Sequence, residues 1–263
     1  MTATGRTLLR EAIRRMLSEA AGPGKSIELI DRLVALNSQL REAGVPLESV
    51  VTVFGDGPET EVFFSWRSTG ADGERKVSRA EPDPSQILLR LGSLKKKSAL
   101  EIIKANPHPY GSVRFASSDS GTQGPCLRSQ IVQLTRSTRS GWGPLLYDVA
   151  MEVATQESSG LTSDRFDVSP DAQRVWDVYD TARPDVQSRQ LDIYPDEMDL
   201  EGEELDAARK TRLTPRNRAD DCAQDPAWQE EEENWMNSPL SRVYSKAPVA
   251  LQRLKSEKLL VRM

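Results

Sequence analysis

Residues 130 to 154 constrain this chain more than any other stretch. Gln130-Ile-Val-Gln-Leu-Thr-Arg136 alternates as a strand requires, with Ile131, Gln133 and Thr135 on one face and Val132 and Leu134 on the other. Ser137-Thr-Arg-Ser-Gly-Trp-Gly-Pro144 forms a turn, and Leu145-Leu-Tyr-Asp-Val-Ala-Met-Glu-Val-Ala154 reads as a helix. Gly141 and Gly143 permit positive φ and bring bare backbone close to whatever the turn holds. Pro144 suits the first helical position, where its missing N–H is not needed and its φ is preset. The helix N-terminus so formed has unpaired N–H groups and a positive dipole end, an anion site suited to phosphate. Arg136 and Arg139 flank it. A turn kept only for packing is the plain alternative. The dinucleotide fingerprint GxGxxG is absent, and so is the Gly-Lys-Ser/Thr of a P-loop.

The surrounding pattern places this unit in a mixed α/β (α+β) chain. Residues 7 to 20 read as an amphipathic helix, with Leu8, Leu9, Ala12, Ile13, Met16 and Leu17 on one stripe, ended by Gly22-Pro23-Gly24. A second helix is expected from an N-cap at Ser26 to about Ala43, with Ile27, Ile30, Leu33, Val34 and Leu40 inward and Gly44 as its stop. Val50 to Phe54 and Glu61 to Trp66 read as strands joined tightly through Gly55-Asp56-Gly57-Pro58. Residues 68 to 84 read as loop, 97 to 105 as a short helix and 110 to 116 as a strand. A short extended piece is expected near 160 to 162 and a helix over 170 to 181. Beyond Pro184 the pattern is patchy: acidic from 192 to 206, with a Glu run at 230 to 233 and a basic tail after Ser241. The domains expected are 1–24, an N-terminal helix and linker; 25–195, the main domain; and 196–263, a C-terminal extension packing on it.

Composition excludes several classes. A net charge of −5 argues against coating nucleic acid by overall charge, and no run approaches the ~20 apolar residues of a membrane span. Arg10, Glu11, Arg14 and Arg15 break any signal-peptide core, so the chain is expected to stay inside a cell or a particle assembled in one, neither secreted nor membrane-spanning. One histidine and two cysteines cannot make a typical His/Cys zinc site, and they leave only His108 for a Ser-His-Asp arrangement. In a reducing interior Cys126 and Cys222 are expected as two buried thiols rather than a disulfide.

The turn and its flanks carry a resemblance. Arg-Ser-Gly-Trp-Gly-Pro-Leu-Leu-Tyr-Asp-Val-Ala (139–150) resembles the acetyl-CoA signature of GNAT N-acyltransferases, and the longer pattern resembles GNAT-like proteins encoded by bacteriophages. That pattern adds Gly-Pro-Cys (124–126), Gly-Leu-Thr-Ser-Asp-Arg (160–165), Val-Ser-Pro-Asp-Ala (168–172), Arg-Val-Trp (174–176) and Ser-Pro-Leu-Ser-Arg-Val-Tyr (238–244), so it covers roughly residues 110 to 245. The resemblance implies a mixed, mostly antiparallel central sheet flanked by helices, splayed at its centre. It implies acetyl-CoA, or another acyl-CoA, as cofactor: the backbone from Gly141 through Trp142 and Gly143 to Leu145 on the pyrophosphate, with Arg136 and Arg139 adding charge, and the strand from Val132 to Leu134 on the pantetheine amides. It implies acyl transfer to an amine of unknown identity, with the helix 170–181 flanking the thioester.

The chain departs from that family in two places. Trp176, not Tyr, stands four residues after Ala172, and the nearest tyrosine is Tyr179; Thr138 stands three before Gly141, where the family has Arg or Gln. Indole cannot donate a proton to a departing thiolate. Tyr179 is therefore the candidate acid and Glu61 the candidate base, with His108 a lesser base and Tyr147 a residue that touches cofactor or simply packs. Each has a plain alternative: Glu61 a solvated strand residue, His108 a turn residue. A non-catalytic structural protein, contacting a viral particle or its own copies, is the competing expectation. A GNAT-like enzyme acting on nucleobases is a third, disfavoured because no basic, aromatic-lined groove is visible.

Overall fold

The computed structural model describes residues 24–56, 58–68, 77–81, 93–106, 108–118, 124–136, 141–164, 168–193, 203, 214, 216–223 and 238–263. The expected helix at 7–20, Arg139 and the Glu run at 230–233 lie outside them. The fold is mixed α/β with a central, mostly antiparallel sheet and flanking helices, as expected. The helices are α1 (Lys25–Glu42), α2 (Ser93–Ala105), α3 (Gly143–Glu157), α4 (Pro170–Thr181) and α5 (Val249–Ser256). The strands are β1 (Leu47–Asp56), β2 (Glu59–Ser68), β3 (Val77–Arg79), β4 (Ser112–Ser117), β5 (Gln130–Arg136), β6 (Leu161–Thr162), β7 (Val186–Gln190), β8 (Asp192–Ile193), β9 (Asp221–Cys222), β10 (Arg242–Lys246) and β11 (Leu260–Arg262). No described helix is long and apolar enough to cross a membrane. The chain forms two compact units, one from Phe115–Gln133 and Met151–Ala247 and the other from Gly24–Arg114, Leu134–Ala150 and Pro248–Met263. β4, β5 and α3 each begin in one unit and end in the other.

The second unit, containing α1 and β1–β3, is organised by a long hairpin. β1 and β2 pair antiparallel from Leu47↔Ser68 to Asp56↔Glu59, so the connection spans two residues, Gly57 and Pro58. β2 is buried throughout Glu61–Trp66. Such a continuous buried run is what a strand covered on both faces requires. β3 pairs with the C-terminal half of β2, inside a stretch whose polarity suggested only loop, and β11 adds in parallel to Val51–Val53. α1 lays Leu29, Ile30, Leu33, Leu36 and Leu40 inward. Its end is a Schellman motif: Gly44 takes φ +65°, its N–H donates to the Arg41 carbonyl, and the Val45 N–H donates to that of Leu40. Its beginning differs from expectation. Gly24 occupies the cap, and Ser26 is buried inside the first turn, donating its hydroxyl to Asp148 Oδ2 at 2.6 Å.

The first unit is ordered β4-β5-β6-β10-β7, with β8 and β9 pairing separately in parallel. β10 lies between β6 and β7, antiparallel to both, so a segment expected to lie outside the main domain supplies an interior strand. Its last residue, Lys246, is buried; its ammonium lies 3.3 Å from Glu152 and 3.3 Å from Asp185. Arg183 completes the network by donating Nε and Nη2 to the two oxygens of Asp185. The Arg183 hydrogen bonds, opposed by burial and reinforced by the charges of Arg183 and Lys246, hold the Asp185 carboxyl at about 2.

Cys126 and Cys222 form a disulfide, correcting the expectation of two thiols. They are buried, as expected, with Ile131, Leu191 and Val243 around them. A sequence separation of 96 hid their proximity, which arises where the 3-10 turn Cys126–Arg128 meets β9 and Leu127 N–H donates to the Ala219 carbonyl.

Candidate functional site

β5 begins in a short parallel ladder. Gln130 faces Leu161 and Ile131 faces Thr162, and there β6 ends. From Val132 onward β5 has no β6 partner. Its remaining residues pass from buried Val132 to exposed Gln133, Leu134, Thr135 and Arg136, with Leu134 at 42% of its full exposure. Backbone N–H and C=O groups at the edge of such a strand must find partners in water, protein or ligand.

The glycine turn follows in the second unit. Gly141 has φ +84°, and a Cβ placed on it would meet nothing within 4 Å, so conformation rather than crowding demands glycine here. Trp142 is only 2% exposed. Its ring lies edge-on to Phe64 at 5.6 Å and under the Arg32 guanidinium at 4.8 Å. Trp142 thus anchors the turn to the core and keeps its side chain out of any groove. α3 starts at Gly143, with Pro144 in its first turn. Leu145 is buried, and its N–H donates to the Trp142 carbonyl at 3.3 Å, which occupies one amide expected to face an anion. Tyr147 is buried as well, its hydroxyl 3.1 Å from Thr135 Oγ1; burial, only partly offset by that contact, pushes its phenol above the usual range.

A cavity of about 390 Å³ with charged residues in its lining lies beside the end of β5, lined by Arg79, Ala80, Glu81, Tyr110, Gly111, Thr135 and Arg136. Glu61 stands behind its Arg79 wall. Arg79 donates Nη1 to Glu61 Oε1 at 2.9 Å and Nη2 to Oε2 at 2.6 Å, while its guanidinium covers the Phe63 ring at 4.3 Å. Burial pushes the Glu61 carboxyl up, but the Arg79 hydrogen bonds and the charges of Arg79 and Arg114 outweigh it and hold the group below its usual range. Glu61 is therefore a buried, doubly bonded carboxylate, not the solvated residue of the plain alternative, and both its oxygens are engaged. His108 is buried too, its Nε2 2.9 Å from the Glu81 carbonyl and its ring between Trp66 and Tyr110, each at 5.9 Å.

The remaining candidates sit in the first unit with Val132. Tyr179 is 3% exposed and clusters with Trp176 and Tyr244 at 6.1 and 6.3 Å, the Arg183 guanidinium 5.3 Å from its ring centre. Asp192, Asp220 and Asp221 form the one group of three metal-capable side chains among the described residues; Thr214 donates its backbone N–H to Asp192 and its hydroxyl to Asp220. Of the cofactor residues expected from sequence, Leu134, Arg136, Gly141, Trp142, Gly143 and Leu145 thus fall in the second unit with the candidate base Glu61, whereas Val132 falls in the first with the candidate acid Tyr179. Sequence reasoning missed Arg79, Glu81 and Tyr110 as site residues: Arg79 and Glu81 come from a stretch read as loop, and Tyr110 from the start of the strand expected at 110 to 116, where nothing singles it out. No protein-family model, curated protein or solved structure matches this chain.

Proposed function

We propose that this protein is an acyl-CoA-dependent N-acyltransferase of the GNAT-like kind encoded by bacteriophages. The observation that carries the reading is the parallel β5–β6 ladder of two residue pairs, after which β5 continues without its β6 partner and leads into the Gly141 turn and α3. A strand with freed amide groups, followed by a helix N-terminus, offers hydrogen bonds to pantetheine amides and a positive end to a pyrophosphate. In the reaction the acceptor nitrogen attacks the thioester carbonyl, an N–C bond forms and the C–S bond breaks. The nitrogen loses one proton and the departing CoA thiolate gains one. Acetyl-CoA titrated calorimetrically into the full chain should bind with micromolar Kd, and Gly143→Trp should abolish binding while circular dichroism stays unchanged. Equal binding by wild type and variant would sink the assignment.

A structural, non-catalytic role is the second reading. The burial of Trp142, Leu145 and Tyr179 favours it, as does the occupation of both Glu61 oxygens by Arg79. A folded wild type that binds no acetyl-CoA would establish this second reading over the first.

A further inference from the structure

The cavity at the end of β5 contains more charge than the fold itself uses. Arg79 is fixed from two sides, by the Glu61 carboxylate and the Phe63 ring, and retains N–H donors beyond the two it gives to Glu61. Among the described residues the Arg136 side chain has no ion-pair or hydrogen-bond partner, although Arg136 lines the same concave surface. Because the Glu61 charge is already matched by Arg79, the guanidinium of Arg136 is the cation of this lining that no ion pair among the described residues engages. Glu81, an exposed acidic residue, belongs to the same lining. The cavity is therefore bipolar, and its volume of about 390 Å³ falls in the range of small-molecule sites.

We infer that this cavity takes a small amine carrying an anionic group, a carboxylate or a phosphate, with the anion on Arg136 and the ammonium toward Glu81. The inference rests on the acyl-transfer reading for its claim that the amine is the acceptor. Arg136, expected from sequence to add charge at the CoA pyrophosphate, is here assigned to the acceptor instead; with Thr135 it follows directly on Val132–Leu134, the β5 residues given to pantetheine, so a molecule in the cavity sits at the end of that strand. The binding chemistry stands on its own observations. A planar guanidinium such as that of Arg136 meets carboxylate or phosphate with two parallel N–H donors. A neutral amine of the same size would leave Arg136 without its partner. Tyr110 and Gly111 complete the lining.

The test uses matched pairs, titrated into the full chain by calorimetry without any CoA present: L-leucine against L-leucinamide, and O-phosphoethanolamine against ethanolamine. In at least one pair the anionic member should bind about tenfold tighter or more, the scale of one charge-assisted contact; which pair shows it separates carboxylate from phosphate ligands. Arg136→Gln should erase that preference, and Arg136→Lys should keep part of it. Equal affinity within both pairs, a preference that survives Arg136→Gln, or no binding of any member at millimolar concentration would each overturn the inference. If the preference holds and acetyl-CoA does not bind, the acyl-transfer reading fails and the anionic-amine site stands. If acetyl-CoA binds and the preference is absent, only the present inference fails.

Discussion

The two compact units contain similar elements but are closed by different kinds of contact. In the second unit the β1–β2 hairpin pairs ten residues with ten across a two-residue connection, and α1 is tied to β1 twelve residues away: Asn37 donates Nδ2 to the Ser49 carbonyl and accepts from the Ser49 N–H. The first unit brings together segments far apart in sequence. β10 meets β6 across 80 residues, and the disulfide spans 96. Closing longer loops costs more entropy, although the increase is slow. The difference lies in what offsets that cost: aliphatic and aromatic burial over the long hairpin, against a few strong connections between short strands. A buried ion network and a covalent bond are such connections, and each can be cut by one or two substitutions.

The largest expected effect comes from cutting the ion network. Lys246→Met removes the ammonium between Glu152, which is fully buried, and Asp185. Breaking a buried pair from one side costs about 3–5 kcal/mol, because the remaining carboxylate stays in low dielectric. Chemical denaturation should show that loss, and amide exchange should accelerate first in β10 and β7. A loss below ~1 kcal/mol would mean that water solvates the network, and the first unit would then owe less to single strong contacts.

Cutting the disulfide comes next. Cys126→Ala with Cys222→Ala should destabilise the protein by about 2–4 kcal/mol. Exchange should increase at Ile131, Leu191 and Val243, which surround the bridge, more than at Val50 or Phe64 in the hairpin. Equal acceleration in both units would erase the contrast between them.

The same difference explains what the sequence made legible. α1, α3, α4 and the β1–β2 hairpin announce themselves through apolar periodicity ended by Gly or Pro, since local contacts leave local patterns. β10 reads Arg-Val-Tyr-Ser-Lys, and its burial depends on partners for Lys246 that lie 94 positions earlier at Glu152 and 61 earlier at Asp185 (246 − 152 and 246 − 185). No hydropathy window contains that information. The Gly141 turn was readable because a positive φ restricts the residue type, whereas the inward position of Trp142 was not, since Gly-Trp-Gly leaves the ring's direction open. The cavity was illegible for the reason that β10 was: Arg79, Tyr110 and Arg136 meet only once the strands are ordered.

A pair of glycines gives the smallest and most local comparison. Gly160, just before β6, has φ +134°, and a Cβ there would collide with the Tyr244 carbonyl oxygen. That obstacle is backbone of β10, which cannot move aside without disturbing its ladders to β6 and β7. Gly160→Ala should therefore cost about 1–3 kcal/mol, combining overpacking with a disfavoured φ. Gly55 in β1 has open space where its Cβ would be and no positive φ, although its N–H bonds to the Met263 carbonyl in the same way in either variant. Gly55→Ala should stay within about 0.5 kcal/mol of wild type. Thermal unfolding of the two variants side by side checks both values. Comparable losses would show the hairpin edge to be as tightly constrained as the β6–β10 crossing; a wide gap would place the demand for close backbone approach in the first unit, where strands distant in sequence must fit against each other without room for a methyl group.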